Sequence, residues 1–82
     1  MLRDIRIRLH RLRTTCAADA RPHLGNLIQM FRKYERYSAE ERPVLLPHMR
    51  RAWAAYQAVK DSERRIGRQE EKVNDFLRNR YR

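Results

Sequence analysis

The sequence predicts an all-α fold: a three-helix bundle whose long C-terminal helix overhangs the two shorter ones. Three observations carry that expectation. Bulky apolar residues recur at three- and four-residue spacings through three separate stretches, the period of a helix with one buried face. Glycine and proline number only two and three, and Pro22, Pro43 and Pro47 fall between those stretches or at their starts. The last stretch holds its helical signal for roughly 34 residues, about 50 Å at 1.5 Å per residue and about twice the length of the second.

The first helix is expected over about residues 2–18. Leu2, Ile5, Leu9, Leu12 and Cys16 follow a 3-4-3-4 spacing. Ile5 to Leu9 also alternates strictly with arginine, so a short strand competes over residues 4–10; the helical pattern is favoured because it covers the longer stretch. On a helix, Ile7 falls opposite the apolar stripe, among Arg3, Arg8, His10 and Arg11. It is there either an unremarked surface residue or the apolar centre of a basic contact surface.

The second helix, over about 20–36, is introduced by Asp19, a competent N-cap, with Pro22 in the first turn. Leu24, Leu27, Ile28, Phe31 and Tyr34 line one face. Gly25 lowers its intrinsic stability by roughly 1 kcal/mol relative to alanine and suggests a close helix crossing. The helix ends in FRKYERY, residues 31–37. Aromatic rings interleaved with Arg32, Lys33 and Arg36 are what single-stranded nucleic acid requires: rings to stack bases and cations to neutralise phosphate. The competing reading makes Phe31 and Tyr34 core and the cations a solvated face.

Ser38 to Glu41 has the form of a capping box, but Pro43 follows so closely that only a single turn is expected. Val44, Leu45 and Leu46 then read as a buried plug leading into the third helix, over about 47–80. Its stripe of Leu45, Met49, Ala52, Trp53, Tyr56 and Val59 is dense. Beyond Val59 it thins to Ile66, Val73, Phe76, Leu77 and Tyr81, with Gly67 as a candidate bend and Glu70 and Glu71 read as a surface pair. The thin half therefore overhangs, folds back or meets a partner, and self-association into a homodimer is the simplest cover. Arg50, Arg64, Arg65, Arg68 and Lys72 project opposite the stripe as a basic row. The tail, Arg78 to Arg82, is expected to order only on binding.

The 82 residues suffice for a single small helical domain. Charge is the dominant signal: 20 basic residues against 10 acidic leave +10, and seventeen of the twenty are arginine. Guanidinium binds phosphate or carboxylate through two parallel hydrogen bonds and stacks on bases, so the excess bears on partners. One cysteine excludes an internal disulfide and fits a reducing compartment. No apolar run approaches the roughly 18 residues of a membrane span, and the basic N-terminus lacks the h-region of a secretory signal. The expected address is cytoplasmic, with the mitochondrial matrix and the nucleoid as competitors; Asp4 and the lack of serine argue against a mitochondrial presequence.

Catalytic chemistry is not expected. His10, His23 and His48 share no metal-ligand spacing with Cys16, no glycine-rich phosphate loop exists, and no serine or cysteine stands in a nucleophile context. No cofactor is implied. The leading expectation is a nucleic-acid-binding or nucleoprotein-associated protein, for DNA or RNA, acting through arginine–phosphate contacts. Its candidate residues are Arg3, Arg6, Arg8, Arg11, Arg13, Arg32, Lys33, Arg36, Tyr37, Arg50, Arg64, Arg65, Arg68 and Lys72. The alternative is an adaptor or inhibitor, a phage- or plasmid-type regulator, that docks on an acidic protein surface through the same arginines together with Ile7 and Tyr37. A third reading lays residues 1–13 on an anionic membrane as an amphipathic helix, without the aromatic anchors such helices carry.

Overall fold

The 3-4 spacing of Leu2, Ile5, Leu9 and Leu12 resolves as a helix in the computed structural model, which describes residues 2–59 and 68–79. This helix, α1 (Leu2–Thr15), buries Ile5, Leu9 and Leu12, so residues 4–10 are helical and the strand alternative falls. It ends where the Thr14 and Thr15 hydroxyls donate to the carbonyl of Arg11, at 2.8 and 3.0 Å. Such back-bonding competes with helix propagation. The second helix, α2 (Arg21–Arg36), has Ala20 at its N-cap position, with no side-chain capping bond, and Asp19 stays exposed in the turn. Ala20 is 1% exposed, so a small side chain is needed at the tight corner, and Pro22 presets the first turn.

The α2–α3 corner departs from expectation. Glu41 does return to Ser38, its carboxylate accepting from both the backbone N–H and the hydroxyl at 3.2 Å. Yet the helix that follows is no single turn. It is α3 (Arg42–Val59), which starts five residues before Pro47 and contains that proline. Pro43 falls in its first turn, where no intrahelical partner is missed, and Pro47 is exposed one turn later. Val44 consequently points to solvent, 66% exposed, while Leu46 is buried; the plug reading holds only for the latter part of the run. Arg42 fastens the corner. Its Nε donates to the carbonyls of Tyr34 and Tyr37 at 3.0 and 3.1 Å, and its guanidinium lies 5.0 Å from the centroid of the Tyr34 ring. A cation thus satisfies the terminal carbonyls of α2 at the negative end of its dipole.

The largest correction concerns the expected helix over 47–80. The described residues hold four helices, and α4 (Arg68–Asn79) runs antiparallel to α3 instead of prolonging it. Arg50 donates to the carbonyl of Leu77 at 2.9 Å, the Trp53 indole N–H to Asn74 at 3.3 Å, and the Tyr56 hydroxyl to Glu70. The physical reason lies in the phase of the stripe. Trp53 and Val73 are twenty residues apart, which on one straight helix turns the second roughly 200° away from the first. A continuous helix would aim its two halves at nearly opposite sides. Doubling back turns Val73, Phe76 and Leu77 into the same core as Met49, Trp53 and Tyr56. Burying those three side chains contributes roughly 1.5–3 kcal/mol each. Gly67 lies outside the described residues.

The helices form a ring: α1 packs on α2 and α4, and α3 on the other side of both. This is an up-down-up-down arrangement around one core. Phe31 stacks on Tyr34, and both meet the edge of Phe76 at centroid distances of 5.7 and 5.6 Å. The stripe that called for a dimer is therefore covered within the chain, as far as α4 is described. Gly25 is no close crossing either, since a Cβ there would meet nothing within 4 Å.

Candidate nucleic-acid interface

Burying Ile5, Leu9 and Leu12 fixes what α1 shows to water. Arg3, Ile7, His10, Arg11 and Thr14 share its outer face, and Arg13 is exposed beside them. Ile7 is 40% exposed at the centre of that face. Arg6 and Arg8 occupy the flanks and are partly engaged. Arg6 lies 3.4 Å from Glu35 of α2, and Arg8 donates to Asp4 at 3.1 Å. Among the described residues no acidic group stands within ion-pair distance of Arg3, Arg11 or Arg13.

On α2, Arg32 lies three residues before Glu35 and so on the flank that faces α1; Arg36 follows one turn later. Arg32, Lys33 and Arg36 are exposed, again with no ion pair among the described residues. The aromatic half of FRKYERY is otherwise placed. Phe31 and Tyr34 are buried, at 1% and 4% exposure, and only Tyr37 of the three rings reaches solvent, half-buried at the end of α2. Two of the three proposed base-stacking rings are core.

The basic row expected along the third helix does not stand as one row. Arg50 is half-buried and spent on the terminal carbonyl of α4, so it does not point away from the packed face. Lys72 is exposed on α4 beside Glu71 and Asp75, a face of mixed charge. Arg64, Arg65 and the side chain of Arg68 lie outside the described residues, as do residues 80–82 of the basic tail. Glu70, read from the sequence as a surface residue, is 4% exposed and accepts the Tyr56 hydroxyl.

Sequence reasoning missed two arginines. Arg42 is the corner staple; its signal was its place four residues beyond the capping serine Ser38. Arg21 opens α2 and, with His10, Arg13 and Thr14, lines a depression of about 310 Å³ between the two helices. Only three-dimensional proximity could reveal that grouping. Elsewhere the surface changes character. The outer face of α3 carries Val44, Pro47, Ala54 and Ala58, with His48 and Arg51 as its polar members. Because α1 and α3 are diagonal in the ring, this smooth face and the basic face of α1 look in opposite directions.

Among the described residues no three His, Cys, Asp or Glu side chains gather as metal ligands, and no helix is long and apolar enough to cross a membrane. The fold and its surface define an all-α, four-helix protein, among the described residues, with one strongly basic side. Comparison with known proteins adds no relative: no protein-family model, no curated protein and no solved structure matches the chain.

Proposed function

We propose that the protein binds nucleic acid without catalysis, through the outer face of α1 and the adjoining flank of α2. The observation that carries this reading is the set of cations left unmatched there. Arg3, Arg11 and Arg13 on α1, and Arg32, Lys33 and Arg36 on α2, meet no acidic partner among the described residues. Asp19 is the sole acidic residue between Ile5 and Tyr34. Cations concentrated on a rigid surface gain affinity for phosphate by releasing condensed counterions, at a log–log salt slope of roughly 0.9 per phosphate neutralised. Such contacts position a strand and carry little sequence information. With Phe31 and Tyr34 in the core, backbone contacts outweigh base stacking in this reading, and duplex is accommodated as readily as single strand.

The test is binding to unrelated duplex and single-stranded DNA and RNA across a salt series. Affinity is expected to fall steeply with salt, and each of Arg3→Ala, Arg11→Ala and Arg13→Ala to reduce the slope by about 1. Absence of binding at about 50 mM salt, where such contacts are strong, would overturn the reading. Ile7 supports a second reading, an adaptor or inhibitor docked on an acidic protein surface, because an exposed isoleucine ringed by arginines suits an interface centre better than a phosphate track. Ile7→Asp separates the two by size of effect. It abolishes an apolar protein contact, whereas polymer binding weakens only by the charge added.

A further inference from the structure

We propose that the depression between the last turns of α1 and the first turn of α2 is a binding site for a phosphate monoester, the dianionic group of free nucleotides and of phosphorylated strand ends. His10, Arg13 and Thr14 stand at i, i+3 and i+4 on α1 and form one patch. The tight turn over residues 16–20, with Ala20 buried at its corner, brings Arg21 across from α2 to face them. Two guanidinium groups and an imidazole thus line one depression, with no acidic side chain among its described walls. Arg6, Arg8, Arg42 and Arg50 each have an oxygen partner within the fold. Arg13 and Arg21 have none among the described residues. Like charges gathered without a counter-ion repel one another, and a bound dianion relieves that repulsion.

The shape of the ligand follows from the donors. A monoester presents three terminal oxygens and close to two negative charges, so two guanidinium forks and an imidazole N–H find separate acceptors on it. A diester inside a strand presents two such oxygens and one charge. The Thr14 hydroxyl already donates to the Arg11 carbonyl at 2.8 Å and serves as wall. At about 310 Å³ the depression is open to solvent along its exposed walls and suits a compact anion held by charge.

The site shares Arg13 with the surface proposed for nucleic acid, so the decisive probe is inorganic phosphate, which tests the site without a polymer. Titrated into the intact protein in a chloride background, phosphate is expected to give saturable NMR shifts at the side chains of His10, Arg13 and Arg21. The saturable shift at His10 should vanish in the double variant Arg13→Gln/Arg21→Gln and persist in Arg51→Gln, which replaces a cation on the outer face of α3. Both replaced residues are exposed, so an unchanged thermal midpoint confirms that the variant is folded. Absence of saturation, or equal loss in Arg51→Gln, overturns the proposal even where oligonucleotides still bind with a steep salt dependence. Saturation by phosphate alongside no oligonucleotide binding sustains the site and overturns the polymer reading. Two further ligands identify the source. A preference of about tenfold or more for a 5′-phosphorylated over a 5′-hydroxyl oligonucleotide, lost in the double variant, assigns the site to strand ends. A nucleoside monophosphate that binds without such a preference assigns it to free esters.

Discussion

The described arginines differ in what each side chain touches. Arg42 closes the end of α2 and Arg50 the end of α4, each donating to carbonyls that a helix leaves unpaired at its last turn. Arg3, Arg11 and Arg13 do no such structural service. Arg50→Ala is therefore expected to destabilise the fold by about 1.5–3 kcal/mol in urea unfolding, the range for a lost hydrogen bond to a charged group. If the basic face binds nucleic acid as proposed, the salt slope of that binding should not change in the same variant. Gly25→Ala is expected to act in the opposite direction. The position is interior to α2 and an added Cβ meets nothing within 4 Å, so a gain of roughly 0.5–1 kcal/mol should appear as a raised denaturation midpoint. A fall in the midpoint would show that the space around Gly25 is needed.

At the level of elements, α1 and α2 were legible because their apolar stripes run unbroken and their neighbours pack directly on them. The start of α3 was not, since Pro43 read as a breaker and Pro47 as the first turn; Pro43 in fact occupies the first turn, whereas Pro47 lies inside the helix on its exposed side and forfeits one backbone donor there. The reversal between α3 and α4 left a readable trace in the phase of the apolar residues, but counting apolar positions alone sees only that helical spacing persists. Arg50 was misplaced for the same cause, because α4 supplies the carbonyl that draws it inward. Phe76 is the measure of how firmly α4 belongs to the core. Its ring meets Phe31 and Tyr34 edge-on, so Phe76→Ala should cost about 3–5 kcal/mol, comparable to Trp53→Ala. A loss below about 1 kcal/mol in calorimetry or urea unfolding would mean that α4 contributes little.

For the whole molecule, what matters is the asymmetry of its surface. The net charge of +10 was plain in the composition, but composition spreads it evenly, whereas folding gathers unmatched cations on α1 and α2 and leaves α3 with a face of alanine, proline and valine. The residues Arg3, Arg11, Arg13, Arg32, Lys33 and Arg36 were readable as exposed from helical periodicity alone. The grouping of Arg21 with His10 and Arg13 was not, because it depends on how a five-residue turn brings two helix ends together. If the basic side binds nucleic acid, replacing Arg3, Arg11 and Arg13 together should shift the salt slope by about 3, against no measurable change for Arg51→Ala on α3. Equal effects from both sides would mean that net charge alone drives association.

The Arg42 staple has a consequence for the order in which the chain assembles. Its bonds span only five to eight residues, so the corner between α2 and α3 closes a short loop with little entropy to lose. The bridges from α3 to α4 span fourteen to twenty-seven residues, and the backbones of α3 and α4 approach least closely of the adjacent pairs. The α2–α3 hairpin should therefore form first and α4 dock last, and in reverse α4 should open first. Native-state hydrogen exchange would register this as amides of α2 and α3 that exchange only on global unfolding, while those of α4 exchange through a smaller opening that leaves the hairpin intact.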